Sequence, residues 1–240
     1  MSTNLIPGSQ PTVDLDRPLY APIKRRSFFM YAGATAGATA LVLAGCSKND
    51  STPGMVNVGS GDAGVLNYAY ALEQLEAGFY TMVRSGAYYM GLGAGSAEKL
   101  ILDDLYYHEV IHRDFLKAAI TAAGATPIQA LTPNFSSINF GDRISVLGTA
   151  KAFEDLGVAA YNGAGQYITN PGYLLIAGKI VSIEARHAAI IRDLTGENTF
   201  VGSDILNSSS MEISKSPSTV VATANTFLAD GSKIDVSSIM

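Results

Sequence analysis

The chain is predicted to be all-α, an antiparallel four-helix bundle, and three observations predict it. It has three histidines, His108, His112 and His187, and two of them close the same tetrapeptide pattern, Glu109-Val-Ile-His112 and Glu184-Ala-Arg-His187. With eight glutamates in 240 residues, that coincidence has a chance of about one in three hundred. Ahead of each pair stands a glutamate with a tyrosine seven residues on, Glu73 with Tyr80 and Glu154 with Tyr161. Seven residues are two helical turns, and residues three apart share a helix face. Third, each of these glutamates and histidines interrupts an apolar row of helical period. The chain thus reads as two similar halves, Glu-x6-Tyr followed by Glu-x-x-His.

The first helix is expected over residues 62–85, with Asp62 as its N-cap and Leu66, Ala69, Tyr70, Ala77 and Tyr80 around Glu73 on the inner stripe. The second, over residues 96–123, buries Leu105, Leu116 and Ala119 about Glu109 and His112 and stops at Gly124. The third starts at Asp142 and carries Ile144, Leu147, Glu154, Gly157, Val158 and Tyr161. The fourth follows Asn170-Pro171-Gly172 and shows the clearest stripe: Ile176, Ile180 and Ile183, then Glu184 and His187, then Ile190, Ile191 and Leu194. Asp104 and Asp155 are expected as exposed neighbours of the ligand rows.

Four carboxylates gathered in an apolar bundle repel one another and are driven to protonate unless cations accompany them. Two divalent ions balance four glutamates with both imidazoles neutral, so charge favours a metal-loaded site. Oxygen and nitrogen donors without sulfur suit iron or manganese, and leave zinc open. Glu76, three residues after Glu73, is an additional candidate ligand; the tyrosine spacing favours Glu73.

On these residues the sequence resembles the ferritin-like superfamily, and more closely the bacterial ferritin-like-domain group related to plant desiccation-related proteins. The stretches that carry the likeness are Asn67-Tyr-Ala-Tyr-Ala-Leu-Glu-Gln-Leu-Glu-Ala-Gly-Phe-Tyr80, Glu154-Asp-Leu-Gly-Val-Ala-Ala-Tyr161 and Ile183-Glu-Ala-Arg-His-Ala188, within about residues 62–197. The resemblance implies a ferritin-like bundle and a pair of iron or manganese ions. It assigns bridging roles to Glu109 and Glu184, terminal carboxylates to Glu73 and Glu154, terminal imidazoles to His112 and His187, and outer positions against the ligands to Tyr80 and Tyr161. The chemistry expected of such a centre is oxidation of iron, or reduction or dismutation of peroxide or use of oxygen, and the fold does not choose among these.

The two ends read differently. Residues 1–45 hold Lys24-Arg25-Arg26-Ser27-Phe28-Phe29 and an uncharged Gly/Ala run closed by Leu43-Ala44-Gly45-Cys46. That pattern resembles a twin-arginine export signal with a lipoprotein cleavage box, which would make Cys46 the lipidated first residue of an exported cell-envelope protein, periplasmic or outer-membrane associated. Residues 46–61 are expected as a flexible tether and 198–240 as an irregular C-terminal tail on the bundle, with a short helix from Pro217 capped by Ser216. Cys46 is the sole cysteine, which excludes a disulfide or thiolate site in the remainder. From Cys46 onward 12 Lys and Arg stand against 19 Asp and Glu. Such a balance recommends neither nucleic acid nor an anionic surface as partner. The partners expected are a membrane through the N-terminal lipid and a small oxidant, with a homodimer compatible with both.

Two rival readings remain. The bundle could serve a non-enzymatic, stress-associated or envelope-structural role with the metal as a staple. Alternatively, His108-Glu109-Val-Ile-His112 matches a zinc-protease pattern in which His108 is a ligand and Glu109 the base. The second lacks a third ligand downstream and leaves Glu184 and His187 unexplained.

Overall fold

The computed structural model describes residues 52–196 and 199–239; residues 1–45, read above as resembling an export signal, and Cys46 lie outside them. The elements in chain order are β1 (Val56–Asn57), α1 (Gly61–Ser85), α2 (Ala87–Gly91), α3 (Ala97–Ala122), α4 (Arg143–Ala164), α5 (Pro171–Thr195), α6 (Pro217–Ala224) and β2 (Ile234–Asp235). The four long helices α1, α3, α4 and α5 form the bundle. Short connections make α1 with α3, and α4 with α5, into two helical hairpins, and residues 123–142 cross over between them.

Local chemistry sets most helix starts. The side chains of Ser96, Asp142, Asn170 and Ser216 accept from the backbone N–H of Lys99, Ser145, Gly172 and Thr219, and Pro171 and Pro217 stand at the first helical position. Helix α1 departs from expectation. Its cap position is Ser60, and Gly61 follows at φ +58°, a left-handed conformation that glycine adopts freely. Asp62 turns instead to the other hairpin, where its carboxylate accepts from the backbone N–H of Thr169 at 2.7 Å and of Asn170 at 2.9 Å. The residue expected to cap its own helix thus ties α1 to the start of α5.

Two polar side chains on α1 hold the crossover. Asn67 donates to the carbonyls of Val58 and Thr126 and accepts from Ile128 N–H, and Gln74 accepts from Leu131 N–H. Beyond them Phe79 meets Tyr80, Phe135 and Phe153 at ring separations of 5.1, 6.1 and 5.2 Å, and Phe153 meets Phe227 at 4.8 Å. Edge-to-face packing of this kind fixes crossover and C-terminal segment on one flank of the bundle.

The last residues of the expected tether are built into the fold. Val56 and Asn57 pair in parallel with Ile234 and Asp235, and Val58 is buried. The physical reason is that β1 and β2 satisfy each other's backbone groups over a buried edge. Two other expectations change. Ile144, in the first turn of α4, is 80 % exposed because nothing packs over that end of the stripe. Asp155 is not an idle surface acid: it accepts from the buried guanidinium of Arg192 at 2.7 and 2.8 Å, and Arg192 also reaches Asp204 at 2.6 Å. No helix among the described residues is long and apolar enough to cross a membrane.

Candidate metal centre

One side chain or pair from each bundle helix meets at mid-height: Glu73 from α1, Glu109 and His112 from α3, Glu154 from α4, Glu184 and His187 from α5. All six are buried. Their donor atoms fall into two groups, Glu73 with Glu109, His112 and Glu184, and Glu109 with Glu154, Glu184 and His187. Glu109 and Glu184 belong to both.

The distances show how they are shared. His112 Nδ1 lies 2.8 Å from Glu184 Oε1, 3.4 Å from Glu73 Oε2 and 3.5 Å from Glu109 Oε2. His187 Nδ1 lies 2.7 Å from Glu109 Oε1, 3.4 Å from Glu154 Oε2 and 3.6 Å from Glu184 Oε2. Each of Glu109 and Glu184 therefore presents one oxygen to each imidazole, the disposition of a bridging carboxylate, while Glu73 and Glu154 each serve one side.

The eight atoms that line the two groups, Nδ1 of both histidines, Oε2 of Glu73 and Glu154 and both oxygens of Glu109 and Glu184, are buried without a well-formed hydrogen bond. Buried polar atoms are rarely left so. Within each group the donor atoms all lie within 4.8 Å of one another. Donors about 2.1 Å from a shared ion and at right angles about it stand ~3 Å apart, the spacing found here. Each of the two groups could hold a metal ion.

The other carboxylate oxygens are held from outside. Tyr80 on α1 donates to Glu154 Oε1 at 2.5 Å, and Tyr161 on α4 donates to Glu73 Oε1 at 2.6 Å. Each tyrosine of the repeated Glu-x6-Tyr serves the glutamate of the other half, so the two halves are laced across the bundle axis. Burial first, then the neighbouring carboxylate, pushes both phenols well above their ordinary range, and they remain donors.

Electrostatics repeat the argument in protons. Burial opposes charge on His112, but Glu109, Glu184 and Glu73 outweigh it and hold the ring protonated far above the ordinary range. For His187, burial is likewise outweighed, by Glu154 and Glu109. Burial, then the charge of Glu184, pushes Glu109 well up. Glu184 resists burial because His112 and His187 flank it, and is brought down to about 2. Without cations, burial and mutual repulsion favour protons on this cluster.

Glu76 is also buried, yet its oxygens join neither donor group. Burial, then the charge of Glu184, pushes its carboxyl well above the usual range. It fills a notch left by Gly157: a Cβ on Gly157 would lie 3.1 Å from Glu76 Oε1 and 3.7 Å from Glu184 Oε2. Glu76 and Gly157 occupy the same offset, three residues after Glu73 and Glu154, so aligning the two halves would have revealed the pair. His108 stands outside both donor groups and offers Nδ1 to the outer nitrogen of His187 at 2.8 Å. With Glu109 shared between both imidazoles, the zinc-protease arrangement of His108, Glu109 and His112 does not form.

One turn from the ligands, an apolar cavity is lined by Ala69, Leu72, Leu116, Tyr161 and Ile180. Leu116 follows His112 by four residues, while Ala69 and Ile180 precede Glu73 and Glu184 by four, so the cavity abuts the ligand layer.

A family model described as "Ferritin-like domain" matches residues 61–197, more than half of the chain. The chain belongs to that family. No curated protein matches it.

Proposed function

We propose that this ferritin-like protein holds two divalent iron or manganese ions and uses them for redox chemistry on iron, oxygen or peroxide. The observation that carries the reading is the set of eight buried, unpartnered donor atoms in two groups that share Glu109 and Glu184. When bound, a pair of such ions supplies Lewis acidity and one-electron steps. The rest is the work of the chain. Glu109 and Glu184 hold the two positions at a fixed separation. Tyr80 and Tyr161 orient the terminal carboxylates, so that each turns one oxygen inward. The bundle excludes bulk water, and the cavity beside Leu72 and Tyr161 gives a small apolar molecule a place one layer from the ligands. Glu76 is a buried carboxyl group beside the cluster that lies outside both donor groups.

The export and lipid anchoring proposed for the chain rest on Lys24-Arg25-Arg26 and Leu43-Ala44-Gly45-Cys46 alone. Replacing Cys46 by serine should release the protein from the membrane fraction.

Elemental mass spectrometry on protein purified without chelator or His tag tests the centre. About two iron or manganese ions per chain are expected, falling in Glu109→Ala and His187→Ala, followed by oxidation-state change on adding peroxide. One zinc per chain would favour hydrolytic chemistry. No metal after reconstitution would leave a structural bundle, and two metals inert to oxidants would leave a metal-stapled one.

A further inference from the structure

The two halves of the chain repeat Glu-x-x-His, but the residue just before each repeat differs: His108 before Glu109, and Ile183 before Glu184. The two residues occupy corresponding positions on α3 and α5, one residue before the repeated glutamate. His108, on α3, is exposed at the bundle surface and reaches inward to His187 of α5, with Nδ1 2.8 Å from His187 Nε2. Ile183, on α5, lies on the other side of the seam, where it lines a surface groove together with His112, Ile111 and Phe115. His187 is therefore backed by a hydrogen-bonding ring, whereas the corresponding residue on α5, Ile183, shares a groove with His112 and brings no polar side-chain atom to it.

That difference acts on the donor atom. His187 turns Nδ1 to Glu109, Glu154 and Glu184. To serve as a ligand it must present the Nδ1 lone pair and keep its proton on Nε2. His108 Nδ1 is placed to accept that proton's hydrogen bond, which leaves the proton of His108 on its own Nε2, toward solvent. A hydrogen bond of this kind fixes the tautomer and ring orientation of a ligating histidine and raises its basicity. Isoleucine has no polar atom with which to do the same for His112.

We propose that His108 is a positioning residue for His187 and makes the position formed by Glu154 and His187 the tighter of the two metal positions, with the Glu73–His112 position the weaker and more readily exchanged. The inference rests on the dinuclear reading above. It assigns different duties to two positions that the ligand set alone makes equivalent: one ion resident, the other exchangeable.

The test is titration of manganese(II) alone into the metal-free full chain, with free manganese followed by electron paramagnetic resonance. The unaltered protein should take up two ions in two resolved steps. His108→Ala should still take two, with the tighter step weakened roughly tenfold to a hundredfold and the weaker step unchanged. His108→Asn, which keeps an acceptor, should recover part of the loss, and Ile183→His should tighten the weaker step. The thermal midpoint of the metal-free form is the control for folding: His108→Ala should lower it only slightly, because the position is exposed and water can take over the hydrogen bond to His187. Equal weakening of both steps, or two unresolved steps already in the unaltered protein, would overturn the inference; so would no change in His108→Ala. Failure of the unaltered protein to bind manganese would overturn the dinuclear reading itself, a different result from two ions bound with no role for His108.

Discussion

Tyr80 and Tyr161 each steady a glutamate carried by the other hairpin, so the centre is oriented by contacts that exist only when both hairpins are docked. Replacing either with phenylalanine keeps the ring in its packing and removes one donor. The carboxylate oxygen left behind is buried, which costs about 1–3 kcal/mol. Tyr80→Phe should therefore weaken metal uptake at the side of Glu154, and Tyr161→Phe at the side of Glu73, each by roughly tenfold to a hundredfold. Manganese titration reads both, and unchanged affinities would show that the carboxylates are oriented by packing alone. Gly157 makes a second residue-scale case. Alanine there brings a methyl group to 3.1 Å from Glu76 Oε1 in a filled interior. Gly157→Ala should lose about 1–3 kcal/mol in denaturant unfolding, and adding Glu76→Ala should return most of it. Independent, additive losses would mean that the two do not share the notch.

Among the elements, the contact with most at stake outside the centre is Arg192. It is buried on α5 and joins Asp155 of α4 to Asp204 of the C-terminal segment. Removing Asp155, whose side chain is 18 % exposed, leaves the guanidinium charge short of a partner in the interior, and Asp155→Ala should cost about 3 kcal/mol. Asp204 has a side chain 56 % exposed, so water replaces it cheaply and Asp204→Ala should cost roughly 0–1 kcal/mol. Urea denaturation of the two variants measures the difference, and equal losses would mean that the C-terminal tie matters as much as the helix pair. Neither partner of Arg192 was legible in the sequence, because ion pairs across helices leave no local spacing. What was legible lies within single elements. Ser96, Asp142, Asn170-Pro171 and Ser216-Pro217 mark helix starts through their own side chains. The candidate ligands stood out because histidine is scarce and the pattern occurs twice. Asp62 misled because an acid before an apolar row satisfies the capping pattern while its carboxylate is free to reach another element. Ile144 continued the stripe of α4 in sequence but sits where the bundle no longer covers it. The pairing of Val56 with Ile234 had no periodic signal, since two-residue strands are too short to alternate.

At the scale of the whole molecule, the buried cluster without metal favours bound protons, which relieve the repulsion among its carboxylates. His112 and His187 keep theirs far above the ordinary imidazole range, and Glu76, Glu109 and Glu154 are pushed above the ordinary carboxylate range, burial leading in each carboxylate. For the histidines, the stabilisation is full below the unfolded value of about 6.5 and is lost as pH rises through the folded value. The raised carboxylates act with the same sign, because the unfolded chain releases their protons from about pH 4.3 upward while the folded chain retains them. Glu184, brought down to about 2, acts oppositely, but only as pH falls below the ordinary carboxylate range. Between pH 6 and 9 the folded metal-free protein therefore holds more protons than the unfolded chain, and its stability should fall with rising pH by about 1.4 kcal/mol per unit for each extra proton held. Metal binding displaces these protons, so loading should acidify an unbuffered solution and bind more tightly as pH rises. The gap in thermal midpoint between manganese-loaded and metal-free protein should widen steadily across this range. A gap that stays constant or narrows would mean that the cluster is already deprotonated without metal, and that the four glutamates are kept apart by something other than protons.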